Sequence, residues 1–284
     1  MIGGNLPESR FPLPGGWLIG EGPQQCRRYG SAVLRPLTGH EEEWLAQHQG
    51  VANAIRTTRL LDACVLSLDD EEPPRDMARG MLVGDRDYLI LQLRRLTLGD
   101  RVLAVVDCSA CGAKMDIDFD AAAIPIQNGA TDTPVYEIEL PAGTGNPTRA
   151  IRFRLPSGGD QEAVLGLDTE TAADKLLVRC LLSNTAVPLA VEEKARVIAA
   201  MEERAPGVEL ELELTCPECS HAFVMPFDTT GFFLDELRIT AGQLLREVHS
   251  LAFYYHWNQS EILGLVRDRR RTYLSLLSET LRQE

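Results

Sequence analysis

The chain has 284 residues and a formal net charge of −14, with 28 Lys plus Arg against 42 Asp plus Glu. That length can bury a sizeable core in one large or two small domains, and the acidity argues against general affinity for nucleic-acid phosphates or anionic lipid. No apolar run reaches the length of a membrane span, and the first residues lack a basic region backed by an apolar stretch, so the expectation is a soluble cytoplasmic protein that binds neither nucleic acid nor membrane.

Residues 1–29 hold four Pro and six Gly without a clear period and read as an N-terminal arm. A first α+β unit is expected over 30–125. It starts with a strand over 31–37, and Thr38 then caps a helix whose first turn carries Glu41, Glu42 and Glu43. Helices over about 51–67 and 85–97 follow, the second with Leu89, Leu93 and Leu96 inward and Arg94 and Arg95 outward. Alternating segments 101–108 and 113–120 form a hairpin. A Pro/Gly/Asn-rich linker over 126–148, interrupted by the strand-like VYEIEL, leads to a second unit over 149–232. This unit has a strand over 151–155, a helix from Ser157, helices over 169–183 and 191–204, and a hairpin over 208–228. From 233 to 284 the pattern is helical, with stripes Leu244, Val248, Leu251, Tyr255 and Ile262, Val266, Tyr273, Leu277, and a restart at Asn258 or Ser260.

The two units resemble each other. VDCSACGAKMDIDFD (106–120) lies over LTCPECSHAFVMPFD (214–228), RLLDACVLS (59–67) over KLLVRCLLS (175–183), and LRPLTGHEEEWL (34–45) over FRLPSGGDQEAVL (153–165). Each copy supplies one CxxC pair, Cys108 with Cys111 and Cys216 with Cys219. Four thiolates in this pattern suit one closed tetrahedral structural Zn2+ site. The fold class expected is thus α+β, with duplicated helix-plus-hairpin units of zinc-ribbon type sharing one zinc, followed by a helical tail.

Other candidates carry less. Cys26, Cys64 and Cys180 remain outside the CxxC pairs, and Cys64 and Cys180 sit in apolar helical patterns that suit inert buried thiols. His221 follows Cys219 closely, but Ala113 stands at the matching place in the first copy, so His221 is left out of the metal shell. Strands flank both CxxC motifs, whereas a redox CxxC needs a helix N-terminus. His249 and His256 are seven apart, not the four of a helical metal pair, and read as ordinary residues of an amphipathic helix. The acidic residues Glu41, Glu42, Glu43, Asp160 and Glu162 read as helix-capping rather than catalytic carboxylates. No phosphate-binding loop or nucleophile motif occurs, and no small-molecule substrate is implied. RDRRR (267–271) is the one basic cluster. Arg267, Arg269, Arg270 and Arg271, with Trp257 and Tyr273, are the candidate partner-binding residues, facing an acidic surface.

GDRDYLILQLRRLTLGDRV (84–102) running into CSACGAKMDIDF (108–119) resembles the T-even-type phage baseplate protein family. The segment LLREVHSLAFYYHWNQSEILGLVRDRRRTYLSLL (244–277) is similar to C-terminal helices of phage tail assembly and baseplate proteins. The resemblance implies a small component needed to build the baseplate hub of a contractile tail, in a phage, a tailocin or an injection system. It also implies binding to other baseplate, hub or tape-measure proteins. Two alternatives stand beside a permanent, non-enzymatic subunit: an assembly chaperone for the hub or tape-measure protein, absent from the finished particle, and a zinc-ribbon nucleic-acid binder. Acidic residues crowding both hairpins oppose the second.

Overall fold

The computed structural model describes residues 8–19, 27–129, 133–141, 148–182, 189–208 and 210–282. Strands β1 (Ser9–Ile19) and β2 (Arg27–Leu34) pair antiparallel, and β3 (Val65–Leu68) joins the far side of β2. Residues 9–19 are therefore strand rather than arm; residues 1–7 and 20–26, with Cys26, lie outside the described residues. Pro12 and Pro14 are tolerated because β1 is an edge strand whose register shifts between Pro12 and Trp17. Leu13 and Trp17 enter the main core, and Trp17 stacks on Tyr29 at 5.6 Å.

Helices α1 (Gly39–Gln47) and α2 (Asn53–Cys64) link β2 to β3, and α3 (Met77–Gly80) and α4 (Val83–Leu98) follow. Helix α4 lies at the centre, with Leu89, Ile90, Leu91 and Leu93 almost fully buried. One of its arginines corrects the sequence reading. Arg94 is buried, paired with Glu236 and donating to the Arg101 carbonyl at 2.8 Å, because α4 is covered on several sides and one polar face still had to be satisfied. Next come β4 (Arg101–Asp107) and β5 (Lys114–Asp120), a 3-10 turn, and β6 (Ile126–Gln127).

After β6 comes β7 (Tyr136–Leu140), which pairs with β8 (Arg149–Phe153). Helices α5 (Gly158–Ala163), α6 (Thr169–Cys180) and α7 (Val191–Arg204) lead to β9 (Gly207–Val208), which pairs with β6. Leu140, Ile151, Phe153, Leu177 and Val197 form a second, smaller core. Strands β10 (Leu210–Thr215) and β11 (Ala222–Phe227) form the second hairpin. Helices α8 (Thr229–Ala241), α9 (Leu244–Tyr255), α10 (Gln259–Leu263) and α11 (Arg267–Leu281) complete the chain.

The same capping device stands before α1 and α5. Thr38 and Glu41 form a capping box, as do Ser157 and Asp160. Arg35 pairs with Glu41 and donates to the carbonyls of Pro36 and Ala63 at 3.1 and 2.8 Å. Arg154 pairs with Asp160 and donates to the carbonyls of Leu155 and Arg179 at 3.2 and 3.1 Å. Each cap also receives the turn that opens a remote helix. The Gly39 N–H donates to Leu265 before α11 (3.3 Å), and the Gly158 N–H donates to Met81 before α4 (3.0 Å). A Cβ on Gly158 would lie 1.3 Å from the Arg86 guanidinium, so only glycine fits there.

Candidate metal centre and C-terminal arginines

The period-2 pattern of β4 turns Val102, Ala104 and Val106 inward and leaves Leu103 and Val105 exposed. The second hairpin packs against this inner face. Val106, Met115 and Ile117 meet Leu214, Phe223 and Met225, and Phe119 lies edge-on to Phe227 at 5.6 Å. Both turns have one geometry. Cys108 N–H donates to the Ala113 carbonyl and Gly112 N–H to the Cys108 carbonyl; Cys216 and Ser220 make the matching bonds, all at 2.9 Å. Gly112 and Ser220 both take positive φ, 71° and 59°.

The two turns bring four sulfurs together. Cys108 and Cys219 Sγ are 3.8 Å apart, Cys111 and Cys216 Sγ 3.7 Å apart, and all four lie within 4.8 Å of one another. These separations exceed a disulfide bond of about 2.05 Å. They match the edge of about 3.8 Å that a tetrahedral ion with sulfurs at about 2.3 Å requires. Backbone N–H groups of Cys111 and Ala110 point at the Cys108 sulfur and lower its pKa to about 6, while the neighbouring sulfurs push Cys111 up to about 12 and raise Cys219, so without a cation one thiolate forms at the expense of the others. Cys108 and Cys216 are buried while Cys111 and Cys219 are exposed. His221 is not among the clustered donors; its ring stacks on Phe223. Burial pushes the thiols of Cys64 and Cys180 up to about 12 and about 11, which suits inert core residues.

The profile of the T4 bacteriophage base plate protein family matches residues 26–185, more than half of the chain. The chain belongs to that family. No curated protein and no solved structure matches it. As a member of the baseplate family it is a phage baseplate-related component, and the match runs from β2 past both capped helices to the end of α6. It stops short of the second CxxC turn. Among the described residues, no helix is long and apolar enough to cross a membrane.

The C-terminal arginines do not form one face. Arg269 and Arg271 are exposed, whereas Arg267 and Arg270 are buried against Glu42 of α1. Arg270 also pairs with Glu247 at 2.8 Å and donates to the Leu265 carbonyl. Glu42 is thus an internal counter-ion rather than a capping residue. Trp257 and Tyr273 are half-buried and pack together at 4.8 Å, with Tyr255 beside both, fastening α9 to α11. Spacing puts Arg267 and Arg270 on one helical face, but the burial of that face is set by Glu42, 225 and 228 residues away in sequence. Sequence reading also missed Asp85, a fully buried carboxylate that accepts from the Gly15 N–H at 2.7 Å.

Proposed function

We propose that this chain is a non-enzymatic, zinc-stabilised baseplate or hub component of a contractile tail-like particle, acting by protein–protein binding. The family match carries the reading. The four-sulfur cluster supports a structural rather than catalytic metal, since four thiolates close the shell and leave no open position for substrate. Cys108, Cys111, Cys216 and Cys219 would hold the ion and tie the two hairpins, a role that needs no ligand exchange. The matched caps and turns support an internal duplication with one half-site per copy. Exposed Arg269 and Arg271 remain candidates for contact with acidic surfaces of hub or tape-measure proteins.

The test is quantitative mass spectrometry of purified particles, together with deletion of the gene. A permanent subunit is present at a fixed ratio to the other tail proteins. Absence from particles that nonetheless require the gene identifies an assembly chaperone. Normal particles made without the gene overturn both.

A further inference from the structure

Among the described residues, the outer faces of the two hairpins differ in that only the first carries cations. On the first, Leu103 and Val105 lie across from Asp118 and Asp116, and Arg101 pairs with Asp118 while Lys114 pairs with Asp107. That face holds two cations among its four carboxylates Asp107, Asp116, Asp118 and Asp120, so a basic partner would meet repulsion as well as attraction there. On the second, Glu211 and Glu213 lie across from Pro226 and Val224. By the hairpin alignment, Ala222 stands where the first hairpin has Lys114. Among the described residues no cation pairs with Glu211 or Glu213. Two uncompensated carboxylates therefore run beside the exposed apolar strip Ala222, Val224, Pro226.

The complementary surface is on the same chain. Helix α9 turns Leu245, His249 and Phe253 outward at i, i+4 and i+8, with Arg246 and Tyr254 beside them. Leu245 and Phe253 are 72% and 65% exposed, and His249 stacks on Phe253. The one carboxylate of α9, Glu247, turns inward to Arg270, so the outer stripe is apolar, aromatic and basic. Its length, eight residues at 1.5 Å or about 12 Å, matches about 14 Å for the strip from Ala222 to Pro226.

We propose that the outer face of the second hairpin binds the α9 stripe of a second copy of this chain. Arg246 meets Glu211 and Glu213, and Phe253 and Leu245 cover Val224 and Pro226. The contact is heterologous, each copy offering one hairpin and one helix, so it propagates into a ring or an open chain. The inference goes beyond the baseplate reading and its failure would leave that reading intact.

Sedimentation velocity and light scattering on the zinc-loaded full chain from about 1 to about 100 µM test it. Association that rises with concentration is expected, weakened at least about tenfold by Glu211→Lys with Glu213→Lys, or by Arg246→Glu with Phe253→Ser. All four side chains are exposed, so zinc content and melting temperature should not change, and both are checked. The decisive arm mixes the two double variants. One retains only a helix and the other only a hairpin, so together they form a 1:1 heterodimer and nothing larger. A chain that stays monomeric throughout, or a mixture that fails to form the heterodimer while the parent associates, overturns the proposal.

Discussion

Glu42 on α1 and Arg270 on α11 stand 228 residues apart in sequence, and both are sealed from solvent in one ion pair. Arg267 approaches the other Glu42 oxygen at 3.3 Å. Two cations therefore depend on one buried carboxylate, with Glu247 serving Arg270 as a second acceptor. Glu42→Gln should cost about 3–5 kcal/mol, since removing one partner of a buried pair strands the other charge. Urea unfolding of the zinc-loaded chain measures it, and a loss under about 1 kcal/mol would mean that water reaches these arginines.

Cys216→Ser should release the metal and lower the melting temperature steeply, because structural zinc supplies roughly 10–16 kcal/mol of apparent binding free energy in small zinc domains. Metal analysis and X-ray absorption should find one zinc per chain with four sulfurs at about 2.3 Å. His221→Ala should keep its zinc. Equal zinc loss from His221→Ala and Cys219→Ser would show that the shell is assigned wrongly.

The two turns are asymmetric in one respect. Gly112 takes its positive φ freely, whereas Ser220 takes nearly the same φ with a side chain attached. Ser220→Gly should therefore stabilise the chain or leave it unchanged, by up to about 1 kcal/mol, while Gly112→Ala should destabilise it by about 1 kcal/mol or more. Thermal unfolding of both variants with zinc bound decides this; the opposite order would remove the strain argument.

Two carboxylates should shape the pH profile in opposite directions. Burial opposes ionisation of Asp160, but Arg154 and the Ser157 N–H and hydroxyl outweigh it and hold its pKa well below the usual range. That stability is present above the unfolded pKa of about 4 and is lost as pH falls toward the folded value. Asp85 behaves conversely. Burial pushes it up to about 6 against the N–H groups of Gly15 and Gly16, so its contribution is full below about pH 4 and is lost as pH rises through about 6. Asp160→Asn should make the acid limb shallower, with Glu41 supplying part of what is left, and Asp85→Asn should reduce the fall above about pH 4, with Asp62 and Asp87, which burial also pushes up, supplying the remainder. Urea midpoints from pH 3 to 8 with unchanged slopes in both variants would sink this assignment.

Local chemistry was readable where it determines geometry by itself. The Thr38 and Ser157 caps, the alternation of β4 and the CxxC turns each place their own residues, and each was found at its expected position. What escaped depends on distant partners. The Pro- and Gly-rich segment 9–19 lacks a period, yet a Cβ at Gly15 would meet Pro206 and Leu82 at 2.8 and 2.9 Å. Its glycines serve close packing by another part of the chain, not a loop. Arg94, Arg267 and Arg270 looked solvated because Glu236 and Glu42, which neutralise them, are remote in sequence.

A metal held by the four cysteines would also set a clock on synthesis. Cys111 and the Cys216 it faces are 105 residues apart, so a ribosome working at about 5–20 residues per second leaves the first CxxC turn without its partner for roughly 5–20 s. During that interval the nascent chain carries two thiols able to capture metal but not to enclose it. On a polysome, neighbouring chains present the same unfinished pair side by side, and a zinc ion bridging two of them would join the wrong halves. Metal delivery that waits for the second turn would favour the correct closure, making zinc supply during translation, rather than after it, a determinant of yield.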